Sequence, residues 1–106
     1  MVVHVINSKE EFDEFIADSK LSVIDFHATW CGPCKMIAPR IEALSNENTD
    51  VKFGKVDVDE VEEVARKCEI SAMPTFQFYK SGKKVGDVVG ANEAKIKELL
   101  MKHKQQ

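Results

Sequence analysis

Two cysteines three residues apart, Cys31 and Cys34, stand in the run Trp30-Cys31-Gly32-Pro33-Cys34-Lys35. A pair at this spacing can exchange a disulfide with another molecule, provided one sulfur is ionised and the second can reach the first. The residues before the pair, Leu21-Ser22-Val23-Ile24-Asp25-Phe26, form an apolar stretch that reads as a buried β-strand. Those after it, Met36-Ile37-Ala38, then Ile41 and Leu44, place apolar residues at helical spacing. The dithiol therefore sits at a strand-to-helix junction, with Cys31 near the helix N-terminus. Unpaired backbone N–H groups and the helix dipole favour negative charge there, so a thiolate is stabilised relative to a thiol. Cys31 is expected to be partly exposed and to attack, and Cys34, one turn deeper, to resolve. Gly32 and Pro33 fit a tight helix entry, since Pro is tolerated in the first turn and Gly leaves room for a substrate backbone. A dithiol on such a βα unit is a redox site.

Two blander uses of the cysteines compete with that reading. Structural zinc wants four ligands, commonly a second C-x-x-C or a His pair. Only Cys68, His4, His27 and His103 remain, and none has a partner at metal-ligand spacing, so no metal is expected. A structural disulfide across so short a loop would constrain the unfolded chain little.

Asp25 is the second signal. A carboxylate within Val23-Ile24-Asp25-Phe26 faces a desolvation cost of several kcal/mol if ionised and unpaired. Burial would raise its pKa towards neutrality, as suits a general base or acid. Alternation places it on the strand face of Val23 and His27, which does not say which way that face points; a strand-end aspartate turned to solvent is the alternative. Lys55, by itself, reads as a solvated strand residue. Pro74 marks a strand start, where no ladder N–H is needed. Trp30, the only tryptophan, belongs to the motif rather than the core. Cys68, at helical spacing from Val61, Val64 and Ala65, reads as a small core residue. His27 reads as a satisfied structural histidine, and Phe53, Phe76 and Phe78 as core.

The elements that must hold these groups follow from periodicity and caps. Val2–Ile6 reads as a short strand. Ser8 with Glu11 gives a capping-box signature ahead of Phe12, Phe15 and Ile16 on one helical face. Residues 21–27 form a second strand, and the dithiol helix spans about 31–46, with a kink expected at Pro39. Val51–Val58 is a third strand. Asp59 with Glu62 starts a short helix. Thr75–Tyr79 and Lys84–Val89 flank the hairpin turn Lys80-Ser81-Gly82-Lys83. Asn92 caps a last helix with Ile96, Leu99 and Leu100 inward. The order β-α-β-α-β-α-β-β-α implies an α/β fold: a mixed sheet with helices on both faces.

Composition sets the outer bounds. A length of 106 residues, 43% hydrophobic, suits a single domain over residues 1–106 with its own core. A formal net charge of −3 gives no general attraction to nucleic acid or anionic membranes. The apolar runs are too short to span a bilayer, and the N-terminus lacks the basic region of a secretory signal. Three cysteines cannot all pair within one molecule, which favours a reducing compartment, the cytoplasm.

The chain resembles the thioredoxin family from Val5 to about Leu100. The Trp-Cys-Gly-Pro-Cys-Lys motif is highly specific, Met73-Pro74-Thr75 matches the family's cis-proline loop, and Asp25, Pro39, Lys55, Gly82 and Gly90 stand where the family has functional or structural residues. The resemblance implies a five-stranded sheet with four flanking helices. It also implies that Asp25 accepts the Cys34 proton with Lys55 as its partner, and that the Met73–Pro74 bond is cis and packed on the dithiol. Trp30, Gly32, Pro33, Met73, Pro74, Gly90 and Ala91 would form the surface that takes an extended substrate; Asp57 and Asp59 would be further partner contacts. The implied function is general protein disulfide reduction by a monomer, within cell redox homeostasis. Its partners would be thioredoxin reductase and disulfide-bearing substrates such as peroxiredoxin-type and reductase-type enzymes. No cofactor would be bound, NADPH and flavin belonging to the reductase. A Gly-Pro pair between the cysteines resembles the reducing members of the family. A non-catalytic binding module and an oxidase or isomerase are the other classes the fold could serve.

Overall fold

Period-two alternation along the strands sorts the core into two layers, one on each side of a five-stranded sheet. A computed structural model describes residues 3–104. The elements are β1 (Val3–Val5), α1 (Lys9–Ile16), β2 (Ser22–His27), α2 (Gly32–Glu47), β3 (Lys52–Asp57), α3 (Glu62–Lys67), β4 (Thr75–Lys80), β5 (Lys83–Val89) and α4 (Glu93–Lys104). The strand order is β1-β3-β2-β4-β5. β1, β3 and β2 run parallel, while β4 is antiparallel to both β2 and β5. This is the mixed sheet that the element order implies, with the five strands and four helices that the family resemblance implies; the strand order itself was not readable from the sequence. Val2, included in the expected first strand, lies outside the described residues.

Val23, Phe53, Phe76 and Phe78 face α2 and α4, packing on Ile37, Ile41, Leu44, Ile96 and Leu100. Ile24, Phe26, Val56 and Tyr79 face the other way, against Phe12 and Ile16 of α1 and Val64 of α3. β2 is central and covered on both sides, which is why its sequence is nearly continuous in apolar residues. The same alternation settles the direction of Asp25: it shares the face of Val23 and points towards α2.

Local signals hold at most ends. The Ser8 hydroxyl accepts from the Glu11 N–H at 3.1 Å and caps α1. The Asn92 side chain accepts from the Lys95 N–H at 3.1 Å ahead of α4. α2 runs unbroken from Gly32 to Glu47 with Pro39 inside it. Lys80 pairs with Lys83 across Ser81 (φ 51°) and Gly82 (φ 82°), so two left-handed residues close the hairpin with the twist its strands require.

The start of α3 departs from expectation. Asp59 is not its cap: the helix begins at Glu62, and Val61 at the cap position makes no side-chain bond. Asp57 organises the preceding turn instead, its Oδ1 accepting from the Asp59 N–H at 2.9 Å and its carbonyl from the N–H groups of Glu60 and Val61. That turn leaves the Asp59 carboxylate free for a distant partner. α3 ends with Glu69 in the left-handed region (φ 58°), Ile70 N–H bonding Ala65 O and Glu69 N–H bonding Arg66 O.

Candidate active site

β2 delivers the chain to the dithiol. Past His27, Ala28 is buried and its carbonyl accepts from the Cys31 N–H at 3.2 Å. Cys31 then takes the extended N-cap conformation of α2 (φ −91°, ψ 108°), with Pro33 in the first turn where its missing N–H is harmless. The Cys34 N–H donates to Cys31 Sγ at 3.2 Å, so the cap atom of this helix is a sulfur. Cys31 and Cys34 form a disulfide, their Cα atoms 5.3 Å apart.

The expected partial exposure of Cys31 is corrected here. Cys31 is 4% exposed and Cys34 5%, because the bonded sulfurs fold under the cap and pack with Ala28 and Met73. What distinguishes the two is the cap position. The exposed part of the motif is Trp30, at 66%, together with Gly32 and Pro33.

Asp25 lies beneath the dithiol, buried, with its Oδ1 lacking any hydrogen-bond partner. Burial pushes its pKa up to about 7, against the opposing pull of Lys55. Lys55 is its direct neighbour in the β2–β3 register, as Asp57 is of His27. Asp25, His27, Cys34 and Lys55 line one cavity of about 300 Å³, whose rim carries the exposed Lys35 and Thr29. His27 is half-buried; burial pulls its pKa below the ordinary histidine value, Asp57 opposes that and Lys55 adds to it.

The remaining predicted residues converge from two loops. The Met73–Pro74 peptide is cis, and Met73 packs on the dithiol. The Gly90 N–H donates to Pro74 O at 2.8 Å, and Gly90 sits at φ 102°, a conformation that favours glycine. The Pro74 side chain is buried, whereas Ala91 is exposed beside Met36 and Ile37 of α2. Cys68 is only half-buried, at the margin of the α1/α3 layer, where it meets Tyr79 Oη at 3.6 Å.

Two contributions escaped sequence reasoning. Asp59 Oδ2 accepts from Trp30 Nε1 at 2.8 Å, tying the exposed indole to the β3–α3 turn. Arg40 of α2 grips Glu93 at the start of α4 through three N–H···O contacts of 2.9–3.1 Å, beside Ala91. Neither pair has a local signal, since 29 and 53 residues separate the partners.

The family model for thioredoxin matches residues 2–102, the disulfide included. This chain belongs to the thioredoxin family. Thioredoxin-1 of Saccharomyces cerevisiae is 54% identical over 99 residues, covering 93% of this chain and 96% of the relative. The solved thioredoxin of Fasciola hepatica superposes with a TM-score of 0.94 at 46% identity, covering 96% of this chain and all of that one. A third chain, 39% identical with a TM-score of 0.90 and 94% coverage of each, comes from work on thiol resolution in yeast mitochondrial 1-Cys peroxiredoxin via glutathione/thioredoxin systems. Thioredoxins are protein-disulfide oxidoreductases, and the Cys31–Cys34 disulfide occupies the family's active-site position, so this thioredoxin is a dithiol disulfide reductase. Among the described residues, no helix is long and apolar enough to cross a membrane. No group of three His, Cys, Asp or Glu among them could hold a metal ion.

Proposed function

We propose that residues 1–106 work as one thioredoxin domain that reduces protein disulfides generally, with Cys31 as nucleophile, Cys34 as resolving thiol and Asp25 as the base. In the reduced form, the Cys31 thiolate at the N-cap is stabilised by the Cys34 N–H and the helix dipole. It attacks a substrate disulfide, forming a mixed disulfide and releasing one substrate thiolate. Asp25 takes the proton of Cys34, and the Cys34 thiolate attacks Cys31 Sγ. The Cys31–substrate bond breaks, the second substrate sulfur leaves with the electron pair, and the Cys31–Cys34 disulfide forms. Lys55 holds Asp25 within reach of ionisation by opposing the desolvation that raises its pKa.

The observation that carries this reading is the placement of a buried carboxylate, one oxygen of which has no hydrogen-bond partner, in the same cavity as Cys34. Trp30, Gly32, Pro33, Met73, Gly90 and Ala91 supply the contact face, with Pro74 fixing Met73. There an extended substrate chain pairs with the Met73 backbone as an added strand.

The disulfide is returned to the dithiol by thioredoxin reductase, which brings flavin and NADPH. Peroxiredoxin-type and reductase-type enzymes are fitting substrates, the former in keeping with the setting of one structural neighbour. The reading places the protein in the cytoplasm as a monomeric electron carrier. Insulin reduction coupled to NADPH and a thioredoxin reductase tests it. Turnover that requires both Cys31 and Cys34 is expected; turnover surviving their double replacement by serine would overturn it.

A further inference from the structure

We propose that His27 is the proton exit of this site, passing to solvent the proton that Asp25 takes from Cys34. The proposal rests on the reading of Asp25 as the base. A buried base that keeps the proton it has taken can hand it back to Cys34 before the thiolate attacks, and Asp25 has almost no surface of its own through which to lose it. The cavity above Asp25 shares no lining residue with the contact face of Trp30, Met73, Gly90 and Ala91, so it stays open while a substrate is docked.

His27 is placed for the transfer. It lies two residues from Asp25 on the same face of β2, about 6.6 Å along the strand at a rise of about 3.3 Å per residue. Both line the same cavity, whose volume of about 300 Å³ admits several waters at about 30 Å³ each. His27 is half-buried where Asp25 is buried, so it lies nearer the rim. The groups facing it are Asp25 on its own strand, Lys55 and Asp57 on β3, and Cys34 and Lys35 on α2. Desolvation, with Lys55 nearby, favours the neutral imidazole, which can accept a proton, while Asp57 opposes the shift. Asp25, pushed up to about 7, and an imidazole held below its ordinary value by burial can pass a proton to each other and on to solvent.

The steps balance. Cys34 thiol and Asp25 carboxylate become Cys34 thiolate and Asp25 carboxylic acid. The acid passes its proton to neutral His27, and the imidazolium releases it to water at the rim. The thiolate completes the exchange at Cys31 Sγ, and no electron passes through Asp25 or His27.

The test follows Trp30 fluorescence as the reduced protein meets excess protein disulfide. The rate plateau at saturating substrate reports resolution. Asp25→Asn, His27→Ala and His27→Gln are compared across pH, with and without added imidazole. His27→Ala is expected to lower the plateau by roughly tenfold, less than the roughly 10²–10⁴ a base itself contributes. Imidazole should restore it, and His27→Gln, which keeps the size and polarity needed for folding, should be equally slow. If Asp25→Asn slows the plateau and both His27 variants do not, the exit is overturned and the base stands. If His27→Gln is as fast as the parent, or imidazole leaves His27→Ala slow, His27 acts only in structure and the proposal fails. A plateau insensitive to Asp25→Asn overturns the base, and the exit with it.

Discussion

The indole N–H of Trp30 is held by the Asp59 carboxylate at 2.8 Å although the ring itself is 66% exposed. An aromatic side chain at the mouth of a redox site is thus oriented from a different loop. Orienting a large apolar ring before a partner arrives reduces the ordering cost of binding.

Asp59→Ala should therefore weaken docking more than folding. The hydrogen bond is solvent-accessible, so the loss is about 0.5–1.5 kcal/mol. The expected outcome is a KM for protein disulfides raised several-fold, with kcat and the unfolding midpoint little changed. Asp59→Asn, which keeps an acceptor, should recover most of the effect. Steady-state insulin reduction beside urea unfolding measures both quantities.

Cys34→Ser leaves the capping sulfur of Cys31 in place and removes the resolving thiol. Mixed disulfides with substrate proteins should accumulate on Cys31, visible by non-reducing electrophoresis and mass spectrometry. Cys31→Ser should trap almost nothing; a reversed pattern would exchange the two roles.

Replacing Asp25 should have opposite effects on stability and on rate. Its folded-state pKa of about 7 exceeds the ordinary value of 3.8, so between the two the native state binds more protons than the unfolded one. The stability tied to this group is present at low pH and is lost as pH rises through the folded pKa, at up to about 1.4 kcal/mol per pH unit. Asp25→Asn should match the parent near pH 4, become progressively more stable than it up to about pH 7, and hold a constant lead of one to a few kcal/mol, roughly, above that. Resolution should slow, most clearly near and below neutral pH. Denaturant unfolding of the disulfide form across pH checks the sign. A variant less stable than the parent at pH 8 would mean Asp25 is favourably paired.

Glu69→Gly tests the end of α3. A side chain at φ 58° carries a strain of about 1–2 kcal/mol that glycine lacks, while glycine adds disorder to the unfolded chain. A net gain of roughly 0.5–1 kcal/mol is expected from urea unfolding, with the rate of disulfide reduction unchanged.

The elements around the dithiol were legible because their signals are local: the apolar run of β2, the helical spacing of Ile37, Ile41 and Leu44, and the cap at Ser8. What the sequence concealed is set by tertiary pairing. Asp59 looks like a helix cap by its distance from Glu62, and only the fold brings Trp30 within reach of its carboxylate. Asp25 lies in a strand covered on both faces, so its neighbours could not say which layer it enters. Cys31 has the sequence of an exposed nucleophile, yet its burial depends on being bonded to Cys34 and covered by Met73. Arg40 meets Glu93, 53 residues on, only once α4 is folded beside α2. His103, buried near the end of α4, gave no hint of burial among four lysines.

The third cysteine shows what the sheet does besides carrying side chains. Cys68 packs with the α1/α3 layer near Tyr79, while Cys31 and Cys34 form a separate cluster with Ala28 and Met73 at the start of α2, a helix that packs on the opposite face of the sheet. Sulfurs can bond only when their Cα atoms come within about 7 Å, and burial holds the Cys68 thiol in its less nucleophilic, protonated form. The sheet therefore acts as an insulator. A chain whose work is to make and break sulfur–sulfur bonds can carry a spare thiol without short-circuiting itself.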